Sequence, residues 1–322
     1  MPPMRSTACG PWRPGSRPDV QPLLDRIRKG ETILGDGAWG TMLMARGLQP
    51  GVPPETFNLS QPRVLEDIAR EYVASGAQIV TSNTFGGSLL RLRQHGMEGA
   101  VDAVNRVGVE AVRRAVGDRA YVAGDVGPSG GMLKPYGDID ASEWTASVER
   151  QVGLLAGAGA DLITIETMTD VNEAVLAVRA ARAAAPSLPI VATMTFDRTR
   201  RGFYTVMGVS IAQAARELTD AGADVVGSNC GNGIEVMIEI AREFRAQTTA
   251  PIAIQSNAGL PERRGTALVY PEDPGYTAHR AALLADMGVS IIGGCCGTTP
   301  AHIRAIADRI GPGHPPGDPR RT

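Results

Sequence analysis

The stretch IAQAARELTDAGADVVGSN (211–229) contains a helix, a glycine stop and a strand in immediate succession. Apolar residues recur every three or four positions up to Gly222, which is the pattern of an amphipathic helix ended by glycine. The residues that follow, ADVVGSN (223–229), form an almost continuous apolar run, which is typical of a parallel strand covered by helices on its outer side. A helix that leads directly into such a strand indicates an α/β fold.

The same helix-to-strand turn occurs four times, at SGAQIV (75–80), AGADLI (158–163), AGADVV (221–226) and MGVSII (287–292). Eight strand-like runs alternate with helical patterns: TILGDG (32–37), AQIVTSNT (77–84), AYVAGDVG (120–127), DLITIET (161–167), PIVATMT (189–195), ADVVGSN (223–229), PIAIQSN (251–257) and VSIIGGCC (289–296). This alternation predicts a single-domain (β/α)8 TIM barrel. An open doubly wound sheet is disfavoured because GDGAWGTM (35–42) lacks the GxGxxG spacing of a phosphate-binding first turn.

Composition excludes several classes of function. The 322 residues include 32 basic and 34 acidic side chains, so no basic excess is available to neutralise a nucleic-acid backbone. No apolar run approaches the roughly 20 residues of a membrane span, and the N-terminal residues lack the apolar segment of a signal peptide. We therefore expect a cytoplasmic protein, with disordered ends at 1–20 and 311–322 that are rich in Pro and Arg and carry no periodic apolar pattern.

Reacting groups of a barrel project from the carboxyl ends of its strands, and here those ends are polar. The residues in these positions are Asp36, Asn83, Asp125, Glu166, Thr195, Asn229 with Cys230, Asn257, and Cys295 with Cys296. For Asp125, Thr195 and Asn257, capping of the following helix is an equally good interpretation.

Three of the four cysteines follow two of these strands, and cysteine is a poor helix cap. Thiolates of Cys230, Cys295 and Cys296 converging on one point would suit zinc, with a fourth position left open for a ligand. Adjacent Cys295 and Cys296 can face one metal only where the strand has ended, and flanking glycines permit that bend. A vicinal disulfide and two small buried apolar residues are the alternatives, and Cys9 is predicted to be free. A zinc-bound substrate thiol is deprotonated at neutral pH, so the predicted chemistry is alkyl transfer to a thiolate.

Across residues 31–310 the sequence resembles the zinc-dependent homocysteine S-methyltransferases. This family includes betaine-homocysteine methyltransferase, S-methylmethionine-dependent enzymes and the homocysteine module of cobalamin-dependent methionine synthase. The motifs that carry the resemblance are DGAWGTML (36–43), PETFNLSQP (54–62), TSNTFGG (81–87), GDVGPSG (124–130), IETMTDVNEA (165–174), GSNCGNG (227–233), QSNAGLP (255–261) and GGCCGTTP (293–300).

The resemblance implies a homocysteine-binding barrel over residues 21–310, with Cys230, Cys295 and Cys296 as zinc ligands. It also implies that Asp36 and Glu166, the expected catalytic carboxylates, hold the homocysteine ammonium group. The remaining candidate substrate-binding residues are Asn83, Asn229, Asn257, Trp39 and Phe85.

The expected methyl donor is a small onium compound such as betaine or S-methylmethionine. Trp39 and Phe85 can present aromatic faces to its cation, although aromatic residues near the strand ends can equally form the upper core of the barrel. Gly86 stands where animal betaine enzymes carry an aromatic donor contact, which disfavours an animal-like cage. Two alternatives stay open: a methyltransferase or demethylase subunit that acts with a separate corrinoid protein, and a non-catalytic zinc-binding or thiol-binding barrel that partners one.

Overall fold

The computed structural model describes residues 21–265 and 267–311. Apart from Gly311, the ends predicted to be disordered lie outside these residues, and so does Cys9. The strands are β1 (Ile33–Leu34), β2 (Ile79–Thr81), β3 (Tyr121–Val126), β4 (Leu162–Met168), β5 (Ile190–Met194), β6 (Asp197–Thr199), β7 (Gly202–Tyr204), β8 (Val225–Asn229), β9 (Ile252–Ser256), β10 (Glu262–Arg264), β11 (Ala267–Val269) and β12 (Ile291–Gly294).

The helices are α1 (Leu23–Arg28), α2 (Trp39–Met44), α3 (Thr56–Ser60), α4 (Pro62–Ala74), α5 (Leu89–Arg93), α6 (Val101–Val116), α7 (Ala141–Ala158), α8 (Val171–Ala184), α9 (Ile211–Ala221), α10 (Ile234–Gln247), α11 (Pro274–Asp286) and α12 (Pro300–Ile310). Among the described helices, none has both the length and the apolar character that crossing a membrane requires.

Eight parallel strands form one sheet in the order β1-β12-β9-β8-β5-β4-β3-β2, with β1 and β2 at its two ends. Between β1 and β2, the Gln78 amide donates to the Leu34 carbonyl at 2.8 Å, and the Leu34 amide donates to Gln78 Oε1 at 3.1 Å. The predicted TIM barrel is confirmed, and each of the eight strand-like runs matches one barrel strand, although β4 extends one residue beyond its run.

The lower interior of the barrel is apolar. Its buried residues include Ile33, Ile79, Tyr121, Ala123, Leu162, Val191, Val225, Ala253 and Ile291, and Leu23 and Ile27 of α1 pack against them from below. Successive side chains of a strand point to opposite faces, so residues two positions apart share the interior. Continuing in steps of two beyond these apolar residues reaches Asn83, Asp125, Glu166, Asn229, Asn257 and Cys295. The polar strand ends therefore form the upper interior of the barrel.

Two hairpins lie at this upper face. Strands β6 and β7 pair antiparallel directly after β5, and β10 and β11 pair antiparallel after β9. On the first hairpin, Arg198 forms an ion pair with Glu239 at 2.5 Å and lies 5.4 Å from the ring centroid of Phe203. The ion pair therefore connects this hairpin to the outer helix α10.

Candidate functional site

Three cysteine sulfur atoms meet at the carboxyl ends of β8 and β12. The Sγ atoms of Cys230, Cys295 and Cys296 all lie within 4.8 Å of one another, and Cys230 Sγ is 3.8 Å from Cys296 Sγ. All three residues are half-buried free cysteines, so the alternative of a vicinal disulfide is not what the structure contains. The cluster is accessible from the mouth of the barrel.

The backbone changes direction at both cysteine positions. Strand β8 ends at Asn229, and Cys230 has a left-handed φ of 61°. Strand β12 ends at Gly294, and the Cys295 amide then donates to the Ser256 carbonyl at 2.7 Å. Because the regular strand has ended, Cys296 is not held to the face opposite Cys295.

The pKa values of the cysteine thiols are shifted in different directions. Hydrogen bonds from Cys230 and then Cys295 lower the pKa of the Cys296 thiol to about 3, while the hydrogen bond with Cys230 raises the pKa of Cys295. Tyr270 also hydrogen bonds to Cys296, and burial together with the Cys296 charge raises the pKa of the Tyr270 hydroxyl to about 12. A donor set that holds a thiolate at neutral pH is suited to a soft metal cation.

Asp36 is a buried carboxylate beside the cluster, at the seam between β1 and β2. Its Oδ2 accepts hydrogen bonds from the Trp39 indole at 2.9 Å, the Thr81 amide at 2.8 Å and the Thr81 hydroxyl at 2.9 Å. Burial raises the pKa of Asp36 to about 6, although these hydrogen bonds oppose the increase. The three donors orient the carboxylate and leave Oδ1 for another partner.

Glu166 projects from β4 toward the same space. Burial and then the nearby Asp36 charge raise its pKa to about 8. The next residue, Thr167, has a left-handed φ of 60°, and the sheet register shifts between Ile165 and Met168. This irregularity turns the end of β4 at the point where Glu166 enters the mouth.

Asn229 fixes this turn. Its Oδ1 accepts from the Thr167 amide at 2.7 Å and the Thr193 hydroxyl at 2.8 Å, and its Nδ2 donates to the Thr167 hydroxyl at 2.8 Å. The same Nδ2 lies 3.9 Å from Cys295 Sγ. The amide of Asn229 thus connects the carboxylate side of the site with the cysteine side.

Asn83 is also committed to internal contacts. Its Nδ2 donates to the Pro54 carbonyl at 2.8 Å and to Asn58 Oδ1 at 2.7 Å, so both amide hydrogens hold the loops after β1 and β2 together. Asn257 differs, because its buried Oδ1 has no hydrogen-bond partner among the described residues.

Helix capping does not explain Asp125, Thr195 or Asn257. The helices that follow them begin after Asp140, Ser210 and Asp273. Asp125 is 6% exposed, and burial followed by the Glu166 charge raises its pKa well above the ordinary range. The capping interpretation is therefore wrong for all three residues.

Two residues of the site were missed by the sequence reasoning. Tyr270 follows a hairpin and not a barrel strand, so no positional rule pointed to it. Glu55 lies within PETFNLSQP and is buried, and its Oε1 accepts from the Gly86 amide at 2.6 Å. A Cβ atom on residue 86 would lie only 2.9 Å from that oxygen, so the position of Glu55 explains why residue 86 is glycine.

The aromatic residues near the mouth fall into two groups. Phe57, Phe196 and Phe203 are buried, and they form part of the core as the alternative interpretation expected. Trp39 and Phe85 are half-buried. The Phe85 ring packs so closely against Gly127 that a Cβ atom on residue 127 would lie only 2.6 Å from it. The rings of Trp39 and Phe85 are partly accessible to solvent.

Comparison with known proteins agrees with this architecture. A family model described as homocysteine S-methyltransferase matches residues 33–310. Methionine synthase of Mycobacterium tuberculosis is 34% identical over 308 residues, and that of Mycobacterium leprae is 32% identical over 308 residues; each match covers 89% of this chain and 25% of the relative. The chain therefore spans about a quarter of the length of these curated relatives.

A solved structure shares the fold. The metallated form of the homocysteine methyltransferase MmuM from Escherichia coli superposes with a TM-score of 0.75 and 23% identity. That match covers 90% of this chain and 100% of the other. At this identity the similarity shows a common barrel.

Proposed function

The chain belongs to the homocysteine S-methyltransferase family, and from that premise we propose that it methylates the thiolate of homocysteine to give methionine. The observation that carries the proposal is the cysteine cluster in the same barrel mouth as Asp36 and Glu166. One group of side chains is suited to a thiol through a metal, and the other to an ammonium group. We assign residues 21–310 to this one homocysteine-binding unit.

Zinc is the proposed metal, with Cys230, Cys295 and Cys296 as its ligands. Tetrahedral zinc with bonds of about 2.3 Å to sulfur requires sulfur atoms about 3.8 Å apart, and Cys230 Sγ and Cys296 Sγ are separated by 3.8 Å. Three protein ligands leave one position for the substrate. Zinc would lower the pKa of a homocysteine thiol bound at this position, so that the thiolate would be available at neutral pH.

The carboxylates position the rest of the acceptor. A homocysteine ammonium placed between Asp36 and Glu166 forms charge-assisted hydrogen bonds, which are stronger inside a pocket than on a surface. In this arrangement the side chains of Asn229 and Asn83 hold neighbouring loops in place and so position the residues that bind the substrate. Thr81 and Trp39 keep the Asp36 carboxylate in place.

The proposed donor is a small onium compound. The homocysteine sulfur forms a bond to the methyl carbon as the bond from that carbon to the donor heteroatom breaks. The electron pair of the breaking bond stays on the leaving heteroatom, which loses its positive charge. The protein contributes alignment of the three atoms and exclusion of water, and the half-buried rings of Trp39 and Phe85 supply surfaces for the donor cation.

The direct test is methionine formation by the zinc-loaded chain with homocysteine and, in parallel, betaine, S-methylmethionine and methylcobalamin. We expect turnover with an onium donor and none after replacement of Cys296 by serine. Absence of methionine with every donor, although the chain contains zinc and is folded, would contradict the proposed function. Turnover with methylcobalamin alone would support the corrinoid alternative.

A further inference from the structure

The barrel mouth contains a third interior carboxylate, Asp125, to which neither the metal nor a helix cap assigns a role. Asp125 follows Tyr121 and Ala123 in steps of two on β3, so its side chain points into the barrel above the apolar interior. It is 6% exposed, and its Oδ1 has no hydrogen-bond partner among the described residues. A buried carboxylate oxygen without a partner is costly and requires an explanation.

The surroundings of Asp125 are negative. It pairs in register with Thr164 of β4, which places Glu166 two residues further along the neighbouring strand on the same interior face. The charged groups that act most strongly on Asp125 are Glu166, then Asp36, then Glu55, and each of them raises its pKa. The charge that would balance this cluster must therefore come from a ligand or from retained protons.

We propose that Asp125 determines acceptor specificity by accepting a hydrogen bond from the ammonium group of the substrate amino acid, beside Asp36 and Glu166. This inference rests on the proposed function and extends its substrate site by one residue. An ammonium group has three N–H donors. Asp36 Oδ2 is already occupied by Trp39 and Thr81, so Asp36 Oδ1, Glu166 and the Asp125 carboxylate supply three matching acceptors.

This arrangement selects amino-acid thiols over simple thiols. A thiol without an ammonium group provides no hydrogen-bond donor to Asp36, Glu166 and Asp125, and an acceptor left without a partner in a pocket is unfavourable. Affinity for the amino acid then depends on Asp125, whereas affinity for the metal-binding sulfur does not. The two contributions can be separated with one analogue.

The test compares homocysteine with 4-mercaptobutanoate, which is homocysteine without its ammonium group, by calorimetric titration of the zinc-loaded full chain. We expect Asp125→Asn to raise the dissociation constant of homocysteine about 10-fold to 100-fold, the range expected for one hydrogen bond to a charged group. The same substitution should leave 4-mercaptobutanoate binding unchanged or tighter. Retained binding of the analogue also shows that the variant keeps its metal and its fold.

Glu173→Gln is the matched control. Glu173 is a buried carboxylate whose Oε1 accepts from the Ser129 amide at 2.7 Å, so it holds the loop after β3 from outside the barrel. Its replacement should leave the affinities for both ligands unchanged. If Asp125→Asn fails to fold, Asp125→Ser serves for the same comparison.

Two results would overturn the inference: unchanged homocysteine affinity in the Asp125 variant, or equal weakening of both ligands. Equal weakening would mean that Asp125 supports the pocket and does not recognise the ammonium. A parent protein that contains zinc but does not bind homocysteine would instead refute the proposed function, and the inference would fail with it.

Discussion

Asn229, at the end of β8, holds Thr167, near the end of β4, in a left-handed conformation. The Thr167 amide donates to Asn229 Oδ1 at 2.7 Å, and Asn229 Nδ2 donates to the Thr167 hydroxyl at 2.8 Å. A φ of 60° is unfavourable for a β-branched residue and persists only where neighbouring groups impose it. Since Thr167 directly follows Glu166, and Asn229 directly precedes Cys230, this contact links the orientation of the carboxylate to the position of the thiol.

Asn229→Leu should therefore lower the free energy of unfolding by about 2 to 4 kcal/mol, because the left-handed turn loses two hydrogen bonds. It should also weaken homocysteine binding through displacement of Glu166. Adding Thr167→Gly should restore about 1 kcal/mol of stability, because glycine adopts positive φ without strain. Urea denaturation and homocysteine titration measure both effects.

Thr193→Val is the matched control for this prediction. It removes the Thr193 hydroxyl, which donates to Asn229 Oδ1 at 2.8 Å, but leaves both contacts between Asn229 and Thr167 in place. Homocysteine affinity should be retained in this variant. Equal loss of affinity in the Thr193 and Asn229 variants would show that the turn at Thr167 has no special part in positioning Glu166.

The sequence predicted the barrel because its signals are local. Gly222 stops a helix directly before the strand at 225–229, and this pattern recurs around the chain. It also predicted that Cys230, Cys295 and Cys296 would approach one another, because parallel strands bring their carboxyl ends to one face. Inward alternation from the apolar interior would have placed Asp125 in the site as well.

The contacts that the sequence did not reveal depend on distant partners or on irregular backbone. Asn229 has the residue type of a substrate-binding group, yet its amide contacts Thr167, 62 positions away. The left-handed turn at Thr167 occurs at a residue that normally avoids it, so no propensity predicts it. Tyr270 approaches Cys296 from a loop, and periodicity carries no information about where a loop folds back.

Replacement of Cys296 by serine should remove the metal from the purified chain, because the two remaining thiols and a neutral hydroxyl form a much weaker zinc site. The barrel itself should remain folded, since its apolar core does not involve the cluster. Elemental analysis and far-ultraviolet circular dichroism check the two statements. Full zinc occupancy in this variant would exclude the assignment of three sulfur ligands.

Glu166→Gln should weaken homocysteine binding by about 1.5 to 3 kcal/mol, because an amide keeps the shape of the carboxylate but loses its charge. Zinc content should not change. Calorimetric titration of zinc-loaded protein measures the affinity, and Glu173→Gln again controls for removal of a buried carboxylate elsewhere. Loss of zinc from the Glu166 variant would assign this residue to metal support.

The stability of the metal-free protein should respond to pH through Glu166. Burial raises its pKa to about 8, so between about pH 5 and 8 the folded protein holds a proton that the unfolded chain has released. Stability due to this group therefore decreases as pH rises through that interval. Cys296 acts in the opposite direction, because its pKa is lowered to about 3 and its thiolate favours folding over the same interval.

The comparison of parent and Glu166→Gln reports mainly on the carboxyl, because Cys296 is present in both proteins. In the presence of a chelator, the free energy of unfolding of Glu166→Gln relative to the parent should increase from pH 5 to pH 8. Denaturation curves at four pH values provide the measurement. A difference that is constant with pH would show that Glu166 is already ionised in the folded metal-free chain.

The donor prediction is best tested at Phe85. Trp39 is the weaker choice because its indole donates to Asp36 Oδ2 at 2.9 Å, so its replacement disturbs the acceptor site as well. Phe85→Leu removes only an aromatic face, and loss of one cation–π contact of about 0.5 to 2 kcal/mol corresponds to an increase of about 2-fold to 30-fold in KM for an onium donor.

In this variant KM for homocysteine should stay constant, because Phe85 contacts neither the cysteine cluster nor Asp36 in the proposed arrangement. Tyr136→Leu controls for loss of an aromatic residue from the loop after β3, since Tyr136 is 75% exposed. A corrinoid donor would carry its methyl group on a separate protein, so the barrel mouth must be open for that group to reach the thiolate. Such a donor presents no cation for Phe85 to bind. Rapid turnover of methylcobalamin by the parent protein, without activity toward betaine or S-methylmethionine, would therefore refute the onium donor while leaving the acceptor site intact.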